Sequence, residues 1–258
     1  MLPFSKPSAW LDKEISSLNQ IASRSLYAEG VNAEMIRYSF EVFSRHFRSG
    51  NALEMGPAEG IMTGLLSLVF DDLTVVEGSG IFCDQLKKRY PGINVINCLF
   101  EQFQPARKYD HIIMGHVLEH VEDPVGILRQ VSTWLTPQGK VFAAVPNARS
   151  IHRQAAVLMG MLPSIFALNE MDRRHGHRRV YSPETFRGDF AAAGLRVDIM
   201  GGYWLKPLSD RQIEESWNTE MVRAFMRLGE FYPDIAAEIY IIASLPGQGL
   251  QSEGPAIS

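Results

Sequence analysis

Cysteine is nearly absent from this chain. Its 258 residues include only Cys83 and Cys98. Two thiols cannot supply a disulfide framework, so a reducing cytoplasm is the simplest setting. No Cys/His spacing matches a structural zinc site, and no metal is expected. Long apolar runs are missing too. Without 18 apolar residues in a row no membrane span is expected. The opening MLPFSKPSAWLDKE also lacks the apolar segment of a signal peptide. Nor is there an excess of positive charge, with 25 Lys and Arg against 29 Asp and Glu. That removes the broad basic field a nucleic-acid partner needs, although a local basic patch stays possible. No internal repeat is visible.

What is present is an ordinary globular composition, 46% hydrophobic and 21% charged. The length suits one large α/β domain, or a core domain with an elaboration. Residues 10–48 read as helical. Trp10, Leu11, Ile15, Leu18 and Ile21 fall at helical spacing, and after a break at 28-AEGVN-32 so do Met35, Ile36, Phe40, Phe43 and Phe47. Gly50 fits a C-terminal helix cap.

From residue 52 the pattern switches to alternation. Strands are expected at 52-ALEM-55, 73-LTVVE-77, 94-NVINC-98, 109-YDHIIMGH-116, 140-KVFAAV-145, 195-LRVDIMG-201 and 238-EIYIIASL-245. Helices are expected near 61–70, 80–90, 124–135 and 183–194. Asp123 caps the third of these with Pro124 at its first position, and Ser182 caps the fourth. Such alternation means βαβ units around a parallel sheet. Two stretches break the rhythm, a Met- and Arg-rich insertion at 148–180 and an irregular segment at 203–233. The expected organisation is an N-terminal helical cap over 1–49, a domain over 50–246, and a flexible tail over 247–258.

The most informative stretch is 52-ALEMGPAEG-60. In an open parallel sheet, ligands bind at the carboxyl ends of the strands near the switch point. Gly56 and Gly60 permit a tight turn and close approach of a ligand, although a lone G-x-x-x-G also fits a purely structural turn. The next strand ends in 73-LTVVEGSG-80, where Glu77 can accept hydrogen bonds from a ribose diol or cap the following helix. A dinucleotide would satisfy both features. Ala58, however, stands where the pyrophosphate needs a glycine, and Glu59 adds negative charge. An adenosine ligand without phosphate suits the loop better. S-adenosylmethionine (SAM) is such a ligand, and Glu54 can meet its ammonium group.

With these residues in view the sequence resembles class I SAM-dependent methyltransferases, among them bacterial small-molecule enzymes such as ubiquinone and sugar O-methyltransferases. The resemblance runs over about 50–147 and 177–245. It is carried by 53-LEMGPAEG-60, 75-VVEGS-79, 109-YDHIIMGHVLEHVEDP-124 and 132-STWLTPQGKVFAAVPN-147. It implies a Rossmann-like, seven-stranded, mostly parallel sheet with the last strand antiparallel and helices on both faces. N-terminal helices and a helical lid insertion would complete it. It further implies that Glu54, Met55, Gly56, Ala58 and Gly60 surround the methionine part of the cofactor. Glu77 would hold the ribose, with Gly78 and Ser79 beside the adenine. Leu99, Phe100 and Glu101 would flank the adenine, and Gly115, His116 and Val117 would pass beneath the sulfonium.

Methyl transfer needs positioning above all, and a base only when the acceptor must lose a proton. His116 and His120 are the catalytic candidates, with His120 more readily read as orienting its own loop. The cluster 172-DRRHGHRRVYS-182 is either a solvated basic loop or a substrate clamp built from Arg174, His175, His177, Arg178, Arg179 and Tyr181. As a clamp it would favour an anionic acceptor. Tyr27 can reach over the cofactor or pack within its helix. The stretch 157-VLMGMLPSIFALNEM-171 reads as a lid or a homodimer contact. The leading expectation is methylation of an oxygen on a small anionic metabolite or sugar derivative. N-methylation is the alternative, and a non-catalytic SAM-binding role is less favoured. No Asn/Asp-Pro-Pro-Tyr/Phe motif of DNA amino-methylation is present.

Overall fold

Seven strands form a single sheet in the order β3-β2-β1-β4-β5-β7-β6. They are β1 (Ala52–Met55), β2 (Leu73–Glu77), β3 (Asn94–Asn97), β4 (Tyr109–Gly115), β5 (Leu135–Pro146), β6 (Arg196–Tyr203) and β7 (Glu238–Ser244). The computed structural model describes residues 6–25 and 28–247. Neighbours from β3 through to β5 pair in parallel, and β7 runs antiparallel to both β5 and β6. The expected sheet, with its antiparallel last strand, is therefore the observed one.

Burial on both faces explains the apolar runs in the central strands. All residues of β1 and β2 are buried, as is Val141 to Val145 of β5. Helices α5 (Pro124–Trp134) and α8 (Pro183–Ala192) cover one face with Leu128, Val131, Phe186 and Phe190. The other face is covered by α2 (Gly30–Ser44), α3 (Ile61–Leu66) and α10 (Thr219–Gly229), with Phe43, Leu66 and Met226. Ahead of α2 lies α1 (Ser8–Ala22), and α4 (Gly80–Arg89) follows β2. The 148–180 insertion contains α6 (Ile151–Leu158) and α7 (Glu170–Arg174), while 203–233 contains α9 (Asp210–Ser216) and α10. Among the described residues no helix is long and apolar enough to cross a membrane.

Local signals act largely as expected. Asp123 accepts from the Gly126 amide, and Ser182 forms a reciprocal capping box with Thr185. Gly50 behaves otherwise. Helix α2 already ends at Ser44, and Gly50 sits in the turn into β1 with φ +147°, where a Cβ would collide with the Asp110 carboxylate. The α3 helix stops at Leu66 rather than 70, and the Ser67 hydroxyl donates back to the Gly64 carbonyl. Tyr27 and the tail beyond 247 lie outside the described residues.

Phe142 ties the helical segment ahead of β1 to the sheet. Its ring is wholly buried, 5.7 Å from that of Phe43 and 5.0 Å from that of Phe47. Phe142→Ala is expected to cost about 3–5 kcal/mol of unfolding free energy, read from urea denaturation.

Candidate active site

The sheet order reverses between β1 and β4, and the cleft opens there. Just past β1 the backbone takes left-handed conformations at Gly56 (φ +70°), Ala58 (φ +48°) and Gly60 (φ +81°). At Gly56 a Cβ would lie 3.1 Å from Val117 and 3.4 Å from Phe100, which line the opposite wall. Gly60 serves a different end. It precedes α3 and presses against Leu86 and Tyr90, off the cleft wall.

Two glutamates mark the strand ends. Glu54 is 2% exposed and accepts from the Thr63 hydroxyl at 2.6 Å. Burial pushes its carboxyl up to about 8, against the pull of that hydrogen bond. Glu77 accepts from the Ser79 amide at 2.7 Å, and burial pushes it up to about 7, against the backbone N–H groups that favour its charged form. Both line the cleft, and among the described residues no Lys or Arg does. Ser79 itself lies off the wall. It caps α4 by accepting from Phe82, and its hydroxyl donates to Asn19 of α1 at 2.8 Å.

The remaining walls join loops and helices. Gly78 lies against Leu18 of α1, and Leu99, Phe100 and Glu101 follow β3. Burial pushes the Glu101 carboxyl up. Met55, Ala58, Gly115, His116 and Val117 complete the strand-end surface. Sequence reasoning expected a helical cap but gave no cleft role to the residues that roof the cleft, Glu14, Leu18 and Ile21 of α1 and Met35, Ile36 and Ser39 of α2. Their helical spacing announces a covered face but not what covers it.

At the end of β4, His116 is held at φ +58°, an unusual strain for a side chain of this size. Its Nδ1 lies 3.3 Å from Glu119 Oε1 and 3.8 Å from Glu238 Oε2. Nε2 is buried without a hydrogen-bond partner. Burial favours the neutral ring, but the two acids outweigh it and the net shift is upward. His120 also lines the cleft and packs edge-on against His177, with ring centroids 4.7 Å apart. Burial pushes His120 down to about 4, with Glu119 opposing. Glu119, His120 and His177 bring one donor atom each within 4.8 Å, a set able to hold a divalent transition metal where none was expected. This cluster sits beneath the cleft, and only His120 reaches the wall.

Most of the basic loop is held within the chain. Arg178 donates to the His120 carbonyl at 2.6 Å and to both Glu14 carboxylate oxygens at 2.8 Å. Arg179 donates to the carbonyls of Leu118, Val121 and Glu122. Tyr181 is buried and donates to Asp189 at 2.8 Å. His177 faces Asp172, itself bonded to the buried Arg153. Arg174 is exposed, off the wall. Of the six expected substrate contacts, His175 alone lines the cleft. His177, Arg178, Arg179 and Tyr181 tie the loop after β4 to the 172–182 segment. A charge is visible in sequence, but the carbonyl that uses it is not.

A family model described as a methyltransferase domain matches residues 27–198. The chain belongs to the methyltransferase domain family. A ubiquinone biosynthesis O-methyltransferase from Aeromonas salmonicida is 28% identical over 126 residues, covering 46% of this methyltransferase and 51% of that relative. The match thus spans about half the relative's length. A SAM-dependent methyltransferase from Thermotoga maritima, described as a possible histamine N-methyltransferase, has TM-score 0.61 at 16% identity, covering 83% of this chain and 90% of its own. An N-methyltransferase from Bradyrhizobium japonicum, solved with S-adenosylhomocysteine (SAH), has TM-score 0.57 at 15% identity, covering 92% and 97%. These structures share the fold.

The raised carboxyls give the empty methyltransferase a distinct pH response. In the folded state Glu54 and Glu77 keep protons that the unfolded chain has already lost. Folding therefore takes up protons between the ordinary carboxylate range and about 8, and stability falls as pH rises through that window. Glu54→Gln is expected to flatten the decline between pH 5 and 8, by at most about 1.4 kcal/mol per pH unit, in paired urea titrations.

Proposed function

We propose that this methyltransferase draws its methyl group from SAM and passes it to a small-molecule acceptor. One observation carries the reading. Two deeply buried glutamates flank the Gly56 turn in a cleft lined, among the described residues, by no Lys or Arg. Glu54 suits an ammonium group and Glu77 a ribose diol. Leu99, Phe100 and Gly78 offer an apolar slot for adenine, with Glu101 placed for its amino group. Ala58 and Glu59 leave no cradle for a pyrophosphate, which disfavours a dinucleotide.

When bound, SAM supplies a methyl group already activated on a sulfonium. The chain then has three tasks. Its strand-end loops align the acceptor in line with the leaving sulfur. The roof of α1 and α2 excludes water. His116 takes a proton from the acceptor at Nε2 while Glu119 and Glu238 hold the Nδ1–H side. Positioning is the larger part, and the strained backbone of His116 fits such a role. The oxygen acceptor expected from sequence leaned on the arginine loop as an anion clamp. With those guanidinium groups bound to the chain's own carbonyls and carboxylates, that support is gone.

Calorimetry with SAH tests the reading. Wild-type protein is expected to bind SAH in the micromolar range and NAD not at all, and Glu77→Ala to lose at least about a hundredfold, two or more hydrogen bonds to a charged group being removed. Folded wild-type protein that ignores SAH would sink the proposal. Once an acceptor is in hand, His116→Ala is expected to lower kcat by about 10²-fold or more with SAH affinity retained. An unchanged kcat would remove the base from the mechanism.

A further inference from the structure

We propose that Glu119, His120 and His177 form a binding site for a divalent transition-metal ion. The site stands on geometry and needs no particular reading of the reaction. One donor atom from each of the three lies within 4.8 Å of the others. An ion held at about 2.0–2.2 Å by each would draw them to within about 4.4 Å, so closure asks only for small side-chain rotations. Among the described residues no other three His, Cys, Asp or Glu side chains converge in this way.

Glu119 asks for such an ion independently of the spacing. It is fully buried, and neither oxygen has a hydrogen-bond partner. A buried carboxyl left so is costly in either protonation state. A pair with His116 is the rival use of this side chain. It engages Oε1 alone, from Nδ1 at 3.3 Å, and leaves Oε2 unanswered. A metal ion answers Oε2, and the His116 contact then orients the carboxylate from outside.

The surroundings hold the three ligands in place. Glu119 and His120 sit in the turn after β4, where the His120 amide donates to the Val117 carbonyl at 3.0 Å. Arg178 brings its neighbour His177 to them. Its amide donates to the Glu119 carbonyl at 2.8 Å and its guanidinium to the His120 carbonyl at 2.6 Å. The Nδ1 of His177 lies 3.5 Å from Asp172, which Arg153 and Asn169 hold. A carboxylate beside one ring nitrogen is the usual support of an imidazole that binds metal through the other.

Two imidazoles and one carboxylate select the ion. They suit Zn²⁺, Mn²⁺, Fe²⁺ or Co²⁺ better than Mg²⁺ or Ca²⁺, which take oxygen ligands. Three protein ligands also leave a coordination position open. His120 lines the cleft, which puts that position within reach of a molecule bound there. On the methyl-transfer reading, on which this last step alone rests, the ion would hold the acceptor atom in line for attack.

The test uses the full chain, stripped with a chelator and dialysed against Zn²⁺, Mn²⁺ or Mg²⁺. Calorimetry and elemental analysis are expected to show one equivalent of Zn²⁺ or Mn²⁺ per chain, at micromolar affinity or tighter, and no Mg²⁺. Glu119→Gln and His177→Gln are each expected to weaken binding about a hundredfold or more. Wild-type protein that binds neither transition ion, or binding that both variants keep, overturns the site. Should the variants fail to fold, imidazole nitrogen NMR spectra of the wild type decide. Zn²⁺ is expected to move ring nitrogens of two of the seven histidines into the metal-bound range, the two joined by a cross-peak across the edge-on contact of His120 and His177. Any other pair overturns the assignment. SAH affinity is expected to be the same with and without the ion. An SAH affinity lost on chelation would move the ion to the cofactor side and overturn its role toward the acceptor. A protein that binds the ion but never SAH would sink the methyl-transfer reading and leave the metal site standing.

Discussion

Carboxylates held out of water, with no cation of the protein's own to neutralise them, are the constraint around which the cleft is arranged. Glu54 and Glu77 stand at the ends of β1 and β2, where a parallel sheet brings adjacent strand termini side by side. A carboxylate in such a place is costly unless something compensates it. The fold offers only partial help, the Thr63 hydroxyl to one and a backbone amide to the other. Both groups accordingly keep their protons to unusually high pH. On the reading proposed above, a ligand bringing positive charge and hydroxyl donors would supply what the fold does not.

The second organising interaction joins two segments far apart in sequence. The loop after β4 and the stretch 177–182 are laced together by Arg178, Arg179 and the Arg178 amide, which donates to the Glu119 carbonyl. An isolated bridge between Asn147 and Tyr181 continues the join at the end of β5. This lacing holds Glu119 and His120 beneath the cleft and fixes the strained His116 at its edge. Positive charge serves here as scaffold, Arg179 satisfying three carbonyls and Arg178 one carbonyl together with the Glu14 carboxylate. The same spending of arginines keeps Arg178 and Arg179 off the cleft wall.

How far the sequence could be read follows from what each signal depends on. The seven strands and their alternation with helices were legible because apolar periodicity and turn residues are local. So were the caps at Asp123 and Ser182, whose hydrogen bonds span three residues. The Gly56 turn with an acid at each strand end was legible because each lies within a contiguous segment. Gly60 and Ser79 stand off the cleft wall, and capping and packing use the same residue types as binding. The roof residues Leu18, Ile21, Met35 and Ile36 were visible only as helical stripes, whose partner is set by tertiary packing. Most opaque were Arg153 and Asp172, which meet across 19 positions to brace the insertion.

Helix α1 buries only Ala22 as a fully enclosed residue, and its hold on the domain is mostly polar. Asn19 reaches Ser79, Glu14 reaches Arg178, and Lys6, just ahead of the helix, reaches Glu122. Leu18 and Ile21 turn instead toward the cleft. The apolar face of α1 therefore finds its full packing partner only when the cleft is filled. Ligand residence and helix order become two readings of one equilibrium, and whatever loosens the polar tethers, salt included, shortens the time a bound nucleoside stays.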